Sequence, residues 1–143
     1  GGKWVIMVRY HFLDRKLKML NQEDENVINV TNYTDIQDLM LVADIGMTDY
    51  SSWIYDYFFT KKPGILYVPD IEEYEEKDRE FLFPIESTPF PIAKTNEELV
   101  EQIRKFDQEK YDKDYQAFYD KMECYEDGHA AERVVEKLKE IMG

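Results

Sequence analysis

The sequence predicts an α/β fold in which a parallel sheet is flanked by helices. Four short runs of apolar and β-branched residues, at 3–10, 25–32, 44–48 and 65–68, read as strands. Stretches of helical period lie between them, and capping or breaking residues mark the joints. Strands alternating with helices call for parallel pairing through right-handed crossovers.

Residues 3–10, KWVIMVRY, alternate little, which is the pattern of a strand buried on both faces. Arg9, Tyr10 and His11 stand at its C-terminal end, where open α/β sheets place their ligands. Residues 13–21 carry Leu13, Leu17 and Leu20 at helical spacing among basic residues, an amphipathic helix. Residues 25–32 alternate and form the second strand. Thr34 or Asp35 then caps a helix over residues 36–42, with Ile36, Leu39, Met40 and Ala43 inward. A strand at 44–48 runs into a polar bend, Thr48-Asp49-Tyr50-Ser51-Ser52, and then into an apolar helix at 52–60. Lys61 and Lys62 suit that helix's negative end, and Pro63-Gly64 stops it before the strand ILYV at 65–68.

Residues 70–83 read as an acidic helical turn leading into an extended segment. Pro84, Pro89 and Pro91 make 84–93 an irregular loop. Thr95-Asn96-Glu97-Glu98 caps a helix at 97–106, with Leu99, Ile103 and Phe106 inward. A second amphipathic helix spans 112–124 with Tyr115, Phe118, Tyr119 and Met122 as its apolar stripe. Asp127-Gly128-His129 breaks it, and residues 130–142 close the chain with Val134, Val135, Leu138 and Ile141 packed inward. The pattern by itself ends at a parallel α/β half-domain, one sheet flanked by helices.

At 143 residues the chain is one domain with a real core, or part of a larger one. Its 31 acidic and 18 basic residues leave a charge of -13, which argues against nucleic-acid binding. Any phosphate site must be a local pocket held against that overall field. The single cysteine, Cys124, can make no internal disulfide, which fits a reducing compartment. No spacing of Cys or His suggests a metal. No stretch approaches the roughly 20 apolar residues of a membrane span. The Gly1-Gly2 start, without an initiator Met, reads as a cloning or processing remnant, so a piece of a longer protein is expected.

The bend is the first candidate site. Hydroxyls of Thr48, Ser51 and Ser52 and the amides leading into the helix can donate to phosphoryl oxygens, and the helix dipole adds partial positive charge. Asp49 takes no phosphate oxygen while ionised; it caps the helix or orients a hydroxyl. On composition alone, an N-cap role for Asp49, Ser51 or Ser52 is the commoner one. His11 is either a charge-neutralising imidazole beside a diphosphate or an ordinary loop histidine. Asp127 and Gly128 either meet a ribose or make a helix break with a cap, and local grounds favour the break. Arg79, inside an acidic run, is either a phosphate ligand or a surface ion-pair partner.

Ala43-Asp44, then Thr48-Asp49-Tyr50-Ser51-Ser52 with Asp56 one turn later, resembles a signature of the CDP-glycerol glycerophosphotransferases, the teichoic-acid polymerase and primase family. Further features follow in the family's order. The strand ending Arg9-Tyr10-His11 is similar to its arginine-x-histidine strand end. Residues 70–83 are similar to its DLEEYRDKRGFYFD segment. Pro89-Phe90-Pro91 with the capped helix after Thr95 resembles its PGP loop. Residues 127–133 resemble its DGxASxR element.

The resemblance implies a Rossmann-like parallel sheet flanked by helices, the C-terminal, donor-binding half of a GT-B fold, here a single truncated domain. It implies a catalytic role for His11 and diphosphate contacts from Thr48, Asp49, Ser51, Ser52 and Arg79. Asp127 and Gly128 would meet the nucleotide. The implied reaction moves glycerol phosphate, or another polyol phosphate, from a CDP-linked donor to a hydroxyl of a lipid-linked or glycan acceptor, with CMP leaving. No cofactor or metal is implied, and the general base falls in an N-terminal domain outside this chain. The implied place is the cytoplasm, peripheral at the inner face of the cell membrane. Two rival readings stand beside this one. The first is another GT-B glycosyltransferase using a nucleotide sugar. The second is a non-catalytic interaction module, in whose favour Phe12 replaces the family's usual Pro and Glu80 its usual Gly.

Overall fold

The computed structural model describes residues 3–10, 25–77 and 84–143. His11, Arg79 and the helix expected at 13–21 lie outside the described residues, as do Phe12 and Glu80. The chain forms two compact units, residues 1–41 and 42–143.

The first unit pairs β1 (Ile6–Val8) with β2 (Val27–Asn29) in parallel, Met7 opposite Ile28. The ladder continues as Val30 N–H donates to the Val8 carbonyl at 2.9 Å. Beyond it the buried Thr31 hydroxyl accepts from the Tyr10 amide at 3.1 Å, and Arg9 donates to the Tyr33 carbonyl at 2.6 Å. Ile6 is 46% exposed, so β1 is half-buried, where double-sided burial was expected. Its single hydrogen-bonded neighbour among the described residues covers one edge only.

α1 (Ile36–Val42) has the expected bounds. The Asp35 carboxylate accepts from the Gln37 amide at 2.8 Å at its start, and Met40 is buried while Leu41 and Val42 face out.

The second unit holds a parallel sheet in the order β3 (Gly46–Thr48), β4 (Gly64–Tyr67), β5 (Ile92–Ala93). Gly46 stands opposite Gly64, and Leu66 opposite Ile92. The expected single sheet is thus two parallel sheets, one in each unit, with no ladder joining them among the described residues. β5 falls in what the prolines marked as a loop. Pro91 lacks an N–H, but its carbonyl accepts from the Leu66 amide at 2.9 Å, and an edge position needs no more. β4 is the central strand and is buried on both faces, through Ile65 and its neighbour Leu66.

α2 (Trp53–Phe58) lies over β3 and β4 and buries Ile54, Tyr57 and Phe58. Lys61, at φ 60°, turns the chain back toward β4. α3 (Ile71–Lys77) follows, then a 3₁₀ turn at Ile85–Ser87, α4 (Asn96–Arg104), α5 (Gln108–Lys121) and α6 (Ala130–Met142). The Thr95 hydroxyl caps α4 by accepting from the Glu98 amide at 3.2 Å, as the sequence indicated. Asp107 caps α5 through the Lys110 amide at 3.0 Å. From α5, Tyr115 stacks on Phe58 at 4.0 Å and Phe118 meets Phe58 edge-on at 5.6 Å. Tyr111 reaches the sheet, donating to the Lys62 carbonyl at 3.1 Å while accepting from the Gly64 amide; burial pushes its phenol up to about 12.

α6 departs from expectation. Val134, Val135, Leu138 and Ile141 were read as packed inward, yet they are 47–71% exposed. Their helical periodicity is real, but the described residues place no surface over them.

Gly46 shows how tightly α2 sits. A Cβ there would lie 2.7 Å from the Tyr57 ring and 3.0 Å from the Trp53 ring. Gly46→Ala is expected to lower stability by about 1–3 kcal/mol through overpacking, read by urea denaturation.

Candidate functional site

The polar bend joins the end of β3 to the start of α2. Asp49, Ser51 and Ser52 are exposed, with Thr48 and Tyr50 half-buried, so the corner opens to solvent. It is short because Gly46 lets the helix close onto the strand, which brings strand end and helix start together.

Ser52 is the residue before α2, with helical φ −63° and ψ −12°, and its hydroxyl makes no capping bond. The cap role open to Ser52 from sequence is therefore unfilled. The Ser51 and Ser52 carbonyls accept from the Ile54 and Tyr55 amides, a tight first turn. No acceptor among the described residues takes the Ser52 or Trp53 amide. Those two N–H groups and the Ser52 hydroxyl are donors a bound anion could use.

Asp49 serves the bend itself. Its Oδ1 accepts from the Ser51 amide at 3.3 Å and from the Thr48 hydroxyl at 3.4 Å, both long. Thr48 Oγ1 in turn accepts from the Trp53 indole N–H at 2.9 Å. Its hydroxyl proton thus points to Asp49, and donation to a phosphoryl oxygen requires giving up that contact.

Tyr50 leaves the bend in the other direction. Its hydroxyl donates to Asp70 Oδ1 at 2.7 Å, and its ring stacks on Tyr74 at 3.7 Å and 11°. Burial and the hydrogen bond to Asp70 raise the Tyr50 phenol well above its ordinary value. Asp70 and Tyr74 are four residues apart, one helical turn, which brings both onto one face. That spacing was legible in the sequence, but nothing local said that Tyr50 would be their partner.

Asp127 and Gly128 form the turn into α6. Asp127 Oδ1 accepts from the His129 amide at 2.9 Å and from the Arg133 guanidinium at 2.5 Å, and Arg133 holds its carboxyl below the usual range. Gly128 has φ +81°, a conformation that glycine takes without strain, and a Cβ there would meet nothing. These contacts are those of a turn that breaks the chain before α6; His129, the residue before the helix, makes no side-chain cap. His11 and Arg79 lie outside the described residues. Among the described residues no group of three or more His, Cys, Asp or Glu side chains could hold a metal ion. None of the described helices is long and apolar enough to cross a membrane.

Comparison with known proteins follows the same lines. The chain is 36% identical over 139 residues to a teichoic acid poly(glycerol phosphate) polymerase of Bacillus spizizenii, covering 96% of this chain and 35% of the relative. A teichoic acid ribitol-phosphate primase of the same organism is also 36% identical, over 97% of this chain and 35% of the relative. A teichoic acid glycerol-phosphate transferase of Staphylococcus aureus is 31% identical, over 94% and 35%. The chain thus spans about a third of the length of these curated relatives. Among solved structures, a form of the wall teichoic acid polymerase TagF superposes with a TM-score of 0.77 at 29% identity, covering 97% of this chain and 36% of that one. A TagF variant soaked with CDPG superposes at 0.76 with 30% identity, over 96% and 36%. The expected class, a Rossmann-like α/β fold of GT-B type, is borne out by this likeness. Residues 1–140 match the family of CDP-glycerol:poly(glycerophosphate) glycerophosphotransferases, and the chain belongs to that family.

Proposed function

We propose that this chain carries the donor site of a polyol-phosphate transferase, with CDP-glycerol as the first candidate donor. The observation that supports it most is the open bend at residues 48–52, at a strand end, in a chain of the glycerophosphotransferase family. Glycerol- and ribitol-phosphate enzymes match the chain at the same 36% identity. A segment that contacts the diphosphate, ahead of the polyol, would suit both.

In this reading the Ser52 and Trp53 amides and the Ser51 and Ser52 hydroxyls bind diphosphate oxygens. Thr48 and Asp49 hold the bend's shape, and Asp127 and Gly128 approach the nucleotide. His11 and Arg79 enter through the resemblance alone. An acceptor hydroxyl oxygen bonds to the glycerol-bearing phosphorus, the anhydride P–O bond breaks, and CMP leaves with the electron pair. The hydroxyl's proton passes to a base that the resemblance places outside this chain. Donors aimed at the diphosphate stabilise charge that grows on the leaving CMP. The donor is a substrate, and no cofactor or metal enters. A lipid-linked acceptor would set the reaction at the cytoplasmic face of the membrane, with peripheral attachment through other parts of the protein.

Amide-shift mapping of the chain with CDP-glycerol, CDP and UDP-glucose tests this. CDP and CDP-glycerol are expected to move the amides of residues 48–53, and UDP-glucose to move them less. No movement at millimolar CDP would overturn the reading. Ser52→Ala should leave stability within about 0.5 kcal/mol, since no cap is lost, while weakening CDP binding about tenfold. A loss of about 1 kcal/mol in stability with binding unchanged would make Ser52 a cap after all. His11→Ala is expected to weaken CDP binding in the same titration, and an unchanged affinity would remove His11 from the site.

A further inference from the structure

Asp49 holds the bend only weakly. The two hydrogen bonds that it accepts are 3.3 and 3.4 Å long, and the helix that follows has six residues and no side-chain cap. The bend's firmer side-chain contacts are the Trp53 indole to Thr48 at 2.9 Å and those of Tyr50, whose hydroxyl reaches Asp70 at 2.7 Å and whose ring lies flat on Tyr74 at 3.7 Å. The partners of Tyr50 are 20 and 24 positions along the chain, Asp70 immediately before α3 and Tyr74 on its first turn. The Ser51-Ser52 peptide, which carries the Ser52 N–H, lies one residue beyond Tyr50 on its C-terminal side. A shift of the phenol moves the Tyr50 backbone and, through Ser51, that peptide.

We propose that Tyr50, through its hydrogen bond to Asp70, is a positioning residue that aims the Ser51–Ser52 peptide at the donor's diphosphate. The inference rests on the reading of the bend as the diphosphate site. Tyr50 touches no reacting atom. Its side chain is committed to α3, and its effect passes along the backbone. Tyr74 supplies a flat surface that keeps the ring from swinging out, while Asp70 fixes its tip. The indole of Trp53 holds the opposite end of the bend through Thr48, so the peptide is clamped at both ends. A carboxylate facing solvent beside an anion site would repel the ligand. Accepting the Tyr50 proton draws Asp70 toward the phenol and gives its charge a local partner.

Tyr50→Phe keeps the stack and removes only the hydrogen bond; Asp70→Asn weakens the acceptor and keeps the shape. Both variants and their combination are made in the chain, and CDP and cytidine are titrated by amide shifts. The expected result is a CDP dissociation constant raised about tenfold in each single variant, with the double variant no weaker than the weaker single. Cytidine, which lacks the diphosphate, should bind all forms alike. Without ligand, the Ser51 and Ser52 amides should shift in Tyr50→Phe. CDP binding equally well to Tyr50→Phe and to the unaltered chain would overturn the inference and leave the donor site standing. An equal loss of CDP and cytidine affinity would also overturn it, because a general loosening does that. If the unaltered chain binds no CDP, the donor site falls and this inference falls with it.

Discussion

α2 is six residues long, too short to persist on its own hydrogen bonds, so its place depends on burying Ile54, Tyr57 and Phe58 against β3 and β4. Everything about the bend follows from that packing. Gly46 admits the Tyr57 and Trp53 rings at distances no Cβ would allow. Once seated, Trp53 can reach Thr48, and Tyr57 donates to the Ala43 carbonyl at 3.1 Å, tying the helix to the chain before the strand. α5 closes the other side with Tyr115 and Phe118 around Phe58. The polar corner is thus the exposed end of an aromatic wedge, and its openness is a consequence of the wedge's burial.

The charge balance sets how such a corner can recognise an anion. With a net charge of -13, the protein offers no broad positive field. Several described cations are already paired: Lys105 with Glu101, Lys110 with Asp114 and Arg133 with Asp127. Such exposed pairs contribute little to stability, but they occupy the charges. Recognition by amides and hydroxyls at a helix start fits this setting, since dipoles need no net charge. The same reasoning gives Asp49 and Asp70 their meaning. A carboxylate near an anion site is tolerable when neighbouring N–H or O–H groups hold it, as Ser51, Thr48 and Tyr50 do here.

Much of the fold was legible because its signals are local. Asp35 before Ile36, Thr95 before Glu98 and Gly128 before α6 are capping and turn chemistry, readable within four residues. The ILYV run after Pro63-Gly64 announced a strand, and β4 is one. The misses came where pairing, and not pattern, decides. β5 was hidden by Pro91, whose unsuitability for a strand applies only to the donor side. α6 carries a clean apolar stripe, yet its side chains stay exposed, because periodicity states which face is apolar and not what meets it. The split into two sheets is likewise a matter of which strands find each other.

For the site, the sequence by itself determined the chemistry on offer: hydroxyls, a carboxylate and a phenol in five positions between a strand and a helix, inside an ordered series of family motifs. It also left each residue two roles, ligand or cap, since both use the same side-chain atoms. Tertiary structure decided between some of these. It left Ser52 without a cap bond, gave Asp127 to Arg133, and sent Tyr50 to Asp70 and Tyr74. The physical reason is range. A cap is made within three residues and can be read from them, whereas the partner of Tyr50 lies twenty residues on and is fixed only when α2 and α3 pack around the central strand.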